Sequence, residues 1–129
     1  MVIVDSSVWI HYLRTPDTAT GRELDDLLAR EEVSMVGLVM AEVLQGTKGE
    51  REYLQLLFRL QALPYLETGR SAWVRAASLS LQLRSRGQLT PLTDLIIAAV
   101  ALENRCPLFT LDDHFQRIPE LQLYKQEEA

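Results

Sequence analysis

Val2-Ile3-Val4-Asp5-Ser6-Ser7 opens the chain with a short apolar run that ends at an acid followed by two hydroxyl groups. Three β-branched residues in a row predict a short buried strand. An acid at the end of such a strand costs free energy unless it is paired, protonated or bound to a cation. The stretch therefore predicts both the first strand of a sheet and a polar site at its carboxyl end.

Similar short apolar runs alternate with stretches of helical periodicity along the chain. Further strands are predicted at residues 33–36, 63–66 and 107–111, with a short fifth strand at 121–124. Helices are predicted after Ser6 or Ser7 as cap, and at residues 20–30, 38–45, 50–61, 69–86 and 92–104. The alternation predicts an α/β fold in which a short parallel sheet of four to five strands is covered by helices on both faces.

Individual residues give more detail on three of these predicted elements. Pro64 lacks a backbone donor, so the third strand is predicted at an edge of the sheet. Thr90 and Pro91 are predicted as the N-cap and the first position of the helix over 92–104, which is apolar on nearly every side and is predicted to be the most buried. In the helix before it, a broad apolar surface is predicted, with Trp73 in the core; its members are Trp73, Ala76, Ala77, Leu79, Leu81 and Leu83.

Composition indicates one soluble globular domain over residues 1–129, with 126–129 expected as a frayed tail. No apolar run approaches about 18 residues, so no membrane span is expected. The N-terminus lacks the pattern of a signal peptide. Cys106 is the one cysteine, which excludes an intrachain disulfide and suits a reducing cytoplasm.

Net charge leaves the partner open. The formal charge is −5, although eleven of the thirteen basic residues are arginine, whose planar fork suits phosphate. Four acids that stand at the edges of apolar stretches supply −4 of this charge: Asp5, Glu42, Asp94 and Asp112. Without them the remaining charge is about −1, which argues neither for nor against a nucleic acid.

These four acids are predicted to converge. Two carboxylates about 5 Å apart at an effective dielectric of roughly 20 repel by about 3 kcal/mol. Four of them therefore need protonation or a cation, and an all-oxygen set selects Mg²⁺ or Mn²⁺. Such a site suits phosphodiester hydrolysis. Taken singly, each acid also fits a helix cap, a turn or an exposed position, and Asp113 competes with Asp112.

Two other functions remain open at this stage. A phosphoacceptor signalling domain also carries acids at strand ends. Such a domain requires an acidic pair after its first strand and a lysine after one of its last strands. This chain has its acidic pair at Asp112-Asp113, and no lysine lies between Arg51 and Tyr124. The other alternative is a catalytically inactive binding module that keeps a relict site.

The chain resembles the PIN-domain ribonucleases, and within them the VapC-type toxins of bacterial toxin–antitoxin pairs. Four stretches carry the resemblance, in the family's order and spacing: Val4-Asp5-Ser6-Ser7-Val8-Trp9-Ile10, Ala41-Glu42-Val43-Leu44-Gln45-Gly46, Thr93-Asp94-Leu95-Ile96-Ile97-Ala98-Ala99 and Phe109-Thr110-Leu111-Asp112-Asp113-His114-Phe115. The resemblance covers nearly the whole chain and implies a three-layer PIN-like fold.

The resemblance also implies a Mg²⁺- or Mn²⁺-dependent endoribonuclease. It would act as a homodimer on RNA and be neutralised by a small antitoxin. Asp5 and Asp94 would be direct metal ligands, with Glu42 and Asp112 completing the ring partly through water. Ser6 and Thr110 match hydroxyl positions that support the acids.

A few further residues are assigned with alternatives. Arg14, Lys48 and Arg51 are candidates for RNA phosphates or for ordinary solvated surface. An apolar group on the helix over 50–61 is either an antitoxin surface or core: Tyr53, Leu54, Leu57 and Phe58. His11 is expected to be exposed, whereas His114 either approaches the edge of the site or lies outside it.

Overall fold

Four short strands form one parallel sheet in residues 1–125, which the computed structural model describes. The strands are β1 (Val2–Val4), β2 (Val33–Val36), β3 (Tyr65–Leu66) and β4 (Leu108–Phe109). The helices are α1 (Ser6–Arg14), α2 (Ala19–Ala29), α3 (Gly37–Leu44), α4 (Glu50–Gln61), α5 (Arg70–Ser85), α6 (Leu92–Asn104) and a 3-10 helix (Asp113–Arg117). The predicted frayed tail at 126–129 lies outside the described residues.

The strand order β3-β2-β1-β4 makes β1 an interior strand. Val2 pairs with Val33 on one side, and Ile3 pairs with Leu108 on the other. Every residue of β1 and β2 is buried, so both faces of the sheet are covered, as predicted for a parallel sheet between helices. β3 lies at an edge, which confirms the placement that Pro64 suggested.

The predicted fifth strand at 121–124 is wrong. The structure has a single bridge there, between Leu108 and Leu123. Two hydrogen bonds make this bridge, from the N–H of Leu108 to the carbonyl of Gln122 and from the N–H of Tyr124 to the carbonyl of Leu108. Because β4 is only two residues long, it offers no further backbone groups for a ladder.

Helix α6 is the most buried helix, as predicted. The sequence Leu95 to Ala101 is buried without interruption. The prediction for its start is wrong, because Pro91 takes the N-cap position with an extended ψ of 138° and Leu92 is the first helical residue. The carbonyl of Pro91 accepts hydrogen bonds from the N–H groups of Asp94 and Leu95, which puts Asp94 in the first turn.

The apolar face assigned to α5 is right for Ala76, Leu79 and Leu83, which are buried, and wrong for its other members. Trp73 is 53% exposed, Leu81 is 64% exposed, and Ala77 is exposed as well. Ala72, which was not assigned to the face, is buried. Packing against α6 selects this narrower stripe, which begins with the small residues Ala72 and Ala76, because small side chains allow two helices to approach closely.

The apolar residues of α4 divide in a similar way. Leu56 and Leu60 are buried, whereas Leu54 is 52% and Phe58 is 79% exposed. Tyr53 is exposed as well, and Leu57 is half-buried. The core interpretation of this group is therefore wrong for three of its four members, and α4 presents an apolar surface to solvent.

Candidate active site

The carboxyl ends of β1 and β4 lie side by side and carry two of the predicted site residues. Asp5 directly follows β1, and its N–H donates to the carbonyl of Phe109, the last residue of β4, over 2.8 Å. Asp112 follows β4 after two intervening residues. Ligands of open parallel sheets bind outside the carboxyl ends of the strands. This edge is therefore the candidate active site.

Two hydroxyl groups hold the carboxylate of Asp5, which is only 4% exposed. Ser7 Oγ and Thr110 Oγ1 each donate a hydrogen bond to Oδ2 over 2.8 Å. Ser6 Oγ lies 3.5 Å from Oδ1, at the limit of a hydrogen bond. Ser6 and Thr110, the hydroxyl positions named from the sequence, thus both contact Asp5, and Ser7 makes a further contact that is shorter than that of Ser6.

The same two hydroxyl groups accept hydrogen bonds from the backbone that follows β4. The N–H of Leu111 donates to Ser7 Oγ over 3.1 Å, and the N–H of Asp112 donates to Thr110 Oγ1 over 3.0 Å. A hydroxyl group has one proton to donate. Because the backbone occupies an acceptor site on each oxygen, that proton is directed to Asp5.

The start of α1 differs from the prediction. Ser6 and Ser7 are its first two helical residues, and Asp5 stands at the N-cap position. The carboxylate of Asp5 makes no capping hydrogen bond, although its carbonyl accepts from the N–H groups of Val8 and Trp9. The carboxylate faces the hydroxyl groups instead, which argues against a simple capping role for this acid.

A second group of ligand atoms lies next to Asp5. Asp94, Asp112 and His114 each offer one atom, and these atoms lie within 4.8 Å of one another. His114 Nδ1 is 3.1 Å from Asp112 Oδ1 and 3.8 Å from Asp94 Oδ2. Asp113 is exposed and does not belong to this group. The geometry therefore favours Asp112 over Asp113 as the fourth acid.

Glu42 comes to the site on α3, which follows β2. The residue is half-buried, and its Oε1 atom is buried without a hydrogen-bond partner among the described residues. Burial raises the pKa of the Glu42 carboxyl, and the negative charges of Asp5 and Asp94 raise it further. The hydroxyl group of Ser6 acts in the opposite direction and lowers the pKa of Glu42.

The pKa of the Asp94 carboxyl is raised by the same kinds of cause. Burial raises the pKa of its carboxyl most, followed by the charges of Asp112 and Asp5, while His114 lowers it. All four predicted acids are thus electrostatic neighbours. A buried carboxylate oxygen without a partner, beside acids that resist ionisation, fits a divalent cation that accepts oxygen ligands.

Arg14 and Lys48 line a groove of about 500 Å³ that runs between α1 and the segment from α3 to α4. Both side chains are exposed, and neither forms a salt bridge among residues 1–125. The groove wall is completed by the following residues: Ile10, Leu13, Val43, Gly46, Thr47, Glu52 and Leu56. Of the three basic residues considered for RNA contact, Arg14 and Lys48 line this groove, whereas Arg51 is not part of its lining.

The remaining histidine lies elsewhere. His11 is half-buried, and its Nε2 atom is 3.2 Å from Thr18 Oγ1, which ties α1 to the start of α2. Sequence reasoning missed Ser7 and left His114 undecided. The available signal for His114 was its position two residues after Asp112, where a capping carboxylate meets the backbone N–H of the second following residue.

Thr110 offers a direct test of the hydroxyl pair. Thr110→Val keeps the shape of the side chain but removes one donor to Asp5 and the acceptor for the N–H of Asp112. We expect the free energy of unfolding to fall by about 1.5–3 kcal/mol, the usual loss for hydrogen bonds to a buried charge. Thr110→Ser retains the hydroxyl and is the control in the same urea titration. Equal stability of the two variants would contradict this account.

Glu42 gives a pH-dependent test on metal-free protein. Its folded-state pKa is raised, so the folded chain binds more protons than the unfolded chain and loses stability as pH rises through the window from the ordinary carboxyl pKa upward. Glu42→Gln removes this loss. In EDTA at pH 7.5 we expect the free energy of unfolding of Glu42→Gln to exceed that of the wild type by up to about 1 kcal/mol. The effect is limited to this size because solvent partly screens the half-buried carboxylate.

Below the ordinary carboxyl range, at about pH 3.5, the two proteins should have the same stability because Glu42 is then neutral in both states. Glu67→Gln is the control, since Glu67 is an exposed acid in the loop before α5. Thermal unfolding followed by circular dichroism measures the effect. A Glu42→Gln variant that is less stable than wild type at pH 7.5 in EDTA would rule out the electrostatic explanation.

Comparison with known proteins identifies the family. The PIN domain model matches residues 2–121. Ribonuclease VapC5 of Mycobacterium tuberculosis is 29% identical over 122 residues, which cover 88% of this chain and 84% of the relative. Ribonuclease VapC21 of the same organism is 30% identical over 103 residues, which cover 78% of this chain and 75% of the relative.

A solved structure shares the fold. VapBC2 from Rickettsia felis, bound to a DNA fragment from its promoter, superposes with a TM-score of 0.81. The likeness extends over 96% of this chain and 98% of that chain at 21% identity. The α/β architecture predicted through the resemblance is thereby confirmed. The chain belongs to the PIN-domain family, in which its curated relatives are VapC ribonucleases.

Proposed function

We propose that this chain is a divalent-cation-dependent endoribonuclease that hydrolyses RNA phosphodiester bonds and acts as the toxin of a toxin–antitoxin pair. The observation that carries the proposal is the mutual influence of four acids from four separate segments: the charges of Asp5 and Asp94 raise the pKa of Glu42, and those of Asp112 and Asp5 raise the pKa of Asp94. Membership of the PIN-domain family and the names of the VapC ribonucleases support the reaction class.

Mg²⁺ or Mn²⁺ is the proposed cation. Asp5 and Asp94 would hold it directly, with Glu42 and Asp112 contributing partly through water. When bound, the cation would supply Lewis-acid stabilisation of the charge that develops on the phosphoryl oxygens. The unpartnered Oε1 atom of Glu42 and the raised pKa values of Glu42 and Asp94 support a cation at this position.

The chain's own groups have distinct tasks in this proposal. Ser7 and Thr110 fix the orientation of the Asp5 carboxylate, so that its second oxygen is directed to the site. Glu42 Oε1 accepts the proton that the attacking water gives up, because no other group of the described chain occupies that atom. The water oxygen forms the new bond to phosphorus as the bond to the leaving ribose oxygen breaks, and that oxygen takes up a proton from solvent water.

RNA would enter through the groove lined by Arg14 and Lys48. Val43 and Gly46, on and just after α3, belong to the same groove, so it borders the element that carries Glu42. Arg14 and Lys48 form no salt bridge within residues 1–125, so their positive charges are available to the phosphates of single-stranded RNA. Arg51 is exposed in the first turn of α4 and is available to extend this contact.

The activity test uses purified protein and total cellular RNA, with cleavage rates read from gels. Cleavage should require added Mg²⁺ or Mn²⁺ and stop in EDTA. Asp5→Asn and Asp94→Asn should each reduce the rate by at least about 100-fold, because loss of a cation ligand removes several kcal/mol of transition-state stabilisation. Asp113→Asn is the matched control and should cleave like the wild type, since Asp113 lies outside the cluster.

Two results would overturn the nuclease assignment. One is cleavage that continues in EDTA, and the other is cleavage by both substituted proteins when circular dichroism reports that they are folded. The double variant Arg14→Gln, Lys48→Gln belongs to the same assay. It should raise KM for RNA by about tenfold with kcat nearly unchanged, because its effect is on phosphate binding.

The antitoxin and a second copy of the chain are the proposed protein partners. Structural neighbours of this chain include VapBC toxin–antitoxin assemblies, which supports a small antitoxin as partner. We assign it the α4 face, defined by Tyr53, Leu54 and Phe58, because exposed apolar side chains gather there beside the groove. Light scattering of the purified chain at about twice its monomer mass would support the homodimer, and monomer mass would exclude it.

Phe58→Ser tests the α4 face in cells that co-express the small protein encoded next to this chain. Phe58 is 79% exposed, so the substitution leaves the core intact, and we expect co-purification of the small protein to fall by about tenfold or more. Leu89→Ser is the control, because Leu89 is 78% exposed in the loop before α6. Co-purification that is equal for both variants would contradict the assignment.

A further inference from the structure

We propose that His114 is a direct nitrogen ligand of the catalytic cation and that it shifts the preference of the site from Mg²⁺ towards Mn²⁺. The inference rests on the proposed function, since it concerns the cation of that same site. The proposal adds an imidazole to the four acids, so that the ligand set of the cation contains nitrogen as well as oxygen. The preference for one ion over the other then depends on a residue outside the acidic quartet.

Geometry provides the first argument. His114 Nδ1 lies 3.1 Å from Asp112 Oδ1 and 3.8 Å from Asp94 Oδ2, so one nitrogen is close to two carboxylates from different elements. The three ligand atoms lie within 4.8 Å of one another, a spacing that one ion can bridge at ordinary ligand distances of about 2.0–2.3 Å.

The local fold holds His114 in this position. Asp112 caps the 3-10 helix by accepting a hydrogen bond from the N–H of His114 over 3.0 Å. The next residue, Phe115, is 1% exposed and anchors the helix in the core. The backbone of His114 is therefore held between a capping carboxylate and a buried ring. Its side chain is 46% exposed, and its imidazole lies beside the carboxylates of Asp94 and Asp112.

A separate observation indicates that a ligand is needed here. Glu42 Oε1 is buried and has no partner among the described residues, and the charge of Asp94 raises the pKa of Glu42. The imidazole reaches Asp94 and Asp112 but not this oxygen. A hydrated ion held by Asp94 would bring waters that can donate to this oxygen, whereas a hydrogen bond from His114 to Asp112 alone would leave it unsatisfied.

The chemistry of the donor atoms gives the direction of selectivity. Mg²⁺ demands oxygen ligands and keeps several waters. Nitrogen from imidazole increases affinity along the first-row transition series, in which Mn²⁺ is the weakest member but still binds nitrogen more readily than Mg²⁺ does. An imidazole in the ligand set therefore strengthens Mn²⁺ binding and adds little for Mg²⁺.

Pulsed electron paramagnetic resonance of the Mn²⁺-loaded full chain tests the ligand directly, because a bound imidazole imposes ¹⁴N modulation on the Mn²⁺ signal. The chain has two histidines, so His11→Gln is a matched control and His114→Gln is the test. At pH 8, where an unperturbed imidazole is neutral, we expect modulation in the wild type and in His11→Gln and none in His114→Gln.

Calorimetry with each metal alone gives the second readout. His114→Gln should weaken Mn²⁺ binding by about tenfold, while its Mg²⁺ affinity stays within about twofold of the wild type. Absence of ¹⁴N modulation in the wild type, its persistence in His114→Gln, or equal weakening of both ions would overturn the inference. The spectrum of the wild type needs no variant, so a folding defect in His114→Gln does not compromise the test.

The RNA assay separates this inference from the proposed function. Metal-dependent cleavage without ¹⁴N modulation would leave the nuclease assignment standing and reject His114 as ligand. Modulation and Mn²⁺-selective binding without any RNA cleavage would support His114 and reject the nuclease. If no Mn²⁺ binds at pH 8, the role of His114 is rejected, and cleavage of RNA with Mg²⁺ decides the nuclease assignment by itself.

Discussion

Repulsion between carboxylates at the carboxyl edge of β1 and β4 is the interaction on which the site depends. Asp5, Glu42 and Asp94 lie close enough that each charge is felt by another, and burial prevents water from screening them fully. The parallel sheet brings the acids together, and the buried core supplies the free energy that keeps them there. A fold of this kind remains electrostatically incomplete until a cation or protons compensate the excess of negative charge.

Most of the fold could be predicted because its signals are local and agree with one another. The apolar run Val2–Val4 fits only a buried strand. The near-continuous apolar pattern of α6 fits only a helix that is buried on all sides. The width of the buried face of α5 could not be predicted, since the apolar residues Trp73 and Leu81 flank the stripe that is buried. Packing against α6 decides which of these side chains are covered, and that information lies outside the helix's own sequence.

The acids could be found from sequence because each interrupts an apolar stretch, which carries a physical penalty that needs an explanation. The serine that holds Asp5 more closely could not be chosen, because Ser6 and Ser7 are adjacent and of the same chemistry. The difference between them depends on helical geometry, which turns Ser7 towards Thr110 and leaves Ser6 at 3.5 Å from the other oxygen of Asp5. His114 depends likewise on a capping turn that forms only around Asp112.

The two hydroxyl groups that receive the backbone N–H groups of Leu111 and Asp112 have a consequence for sequence variation. Leu111 contributes only its N–H to this arrangement, and its side chain is 47% exposed. The hydrogen bond therefore places no demand on the side chain at position 111, but proline there would remove it, since proline has no N–H. At position 110 only serine and threonine supply the hydroxyl that both donates to Asp5 and accepts from Asp112, so the demands on the side chain differ between these two neighbouring positions.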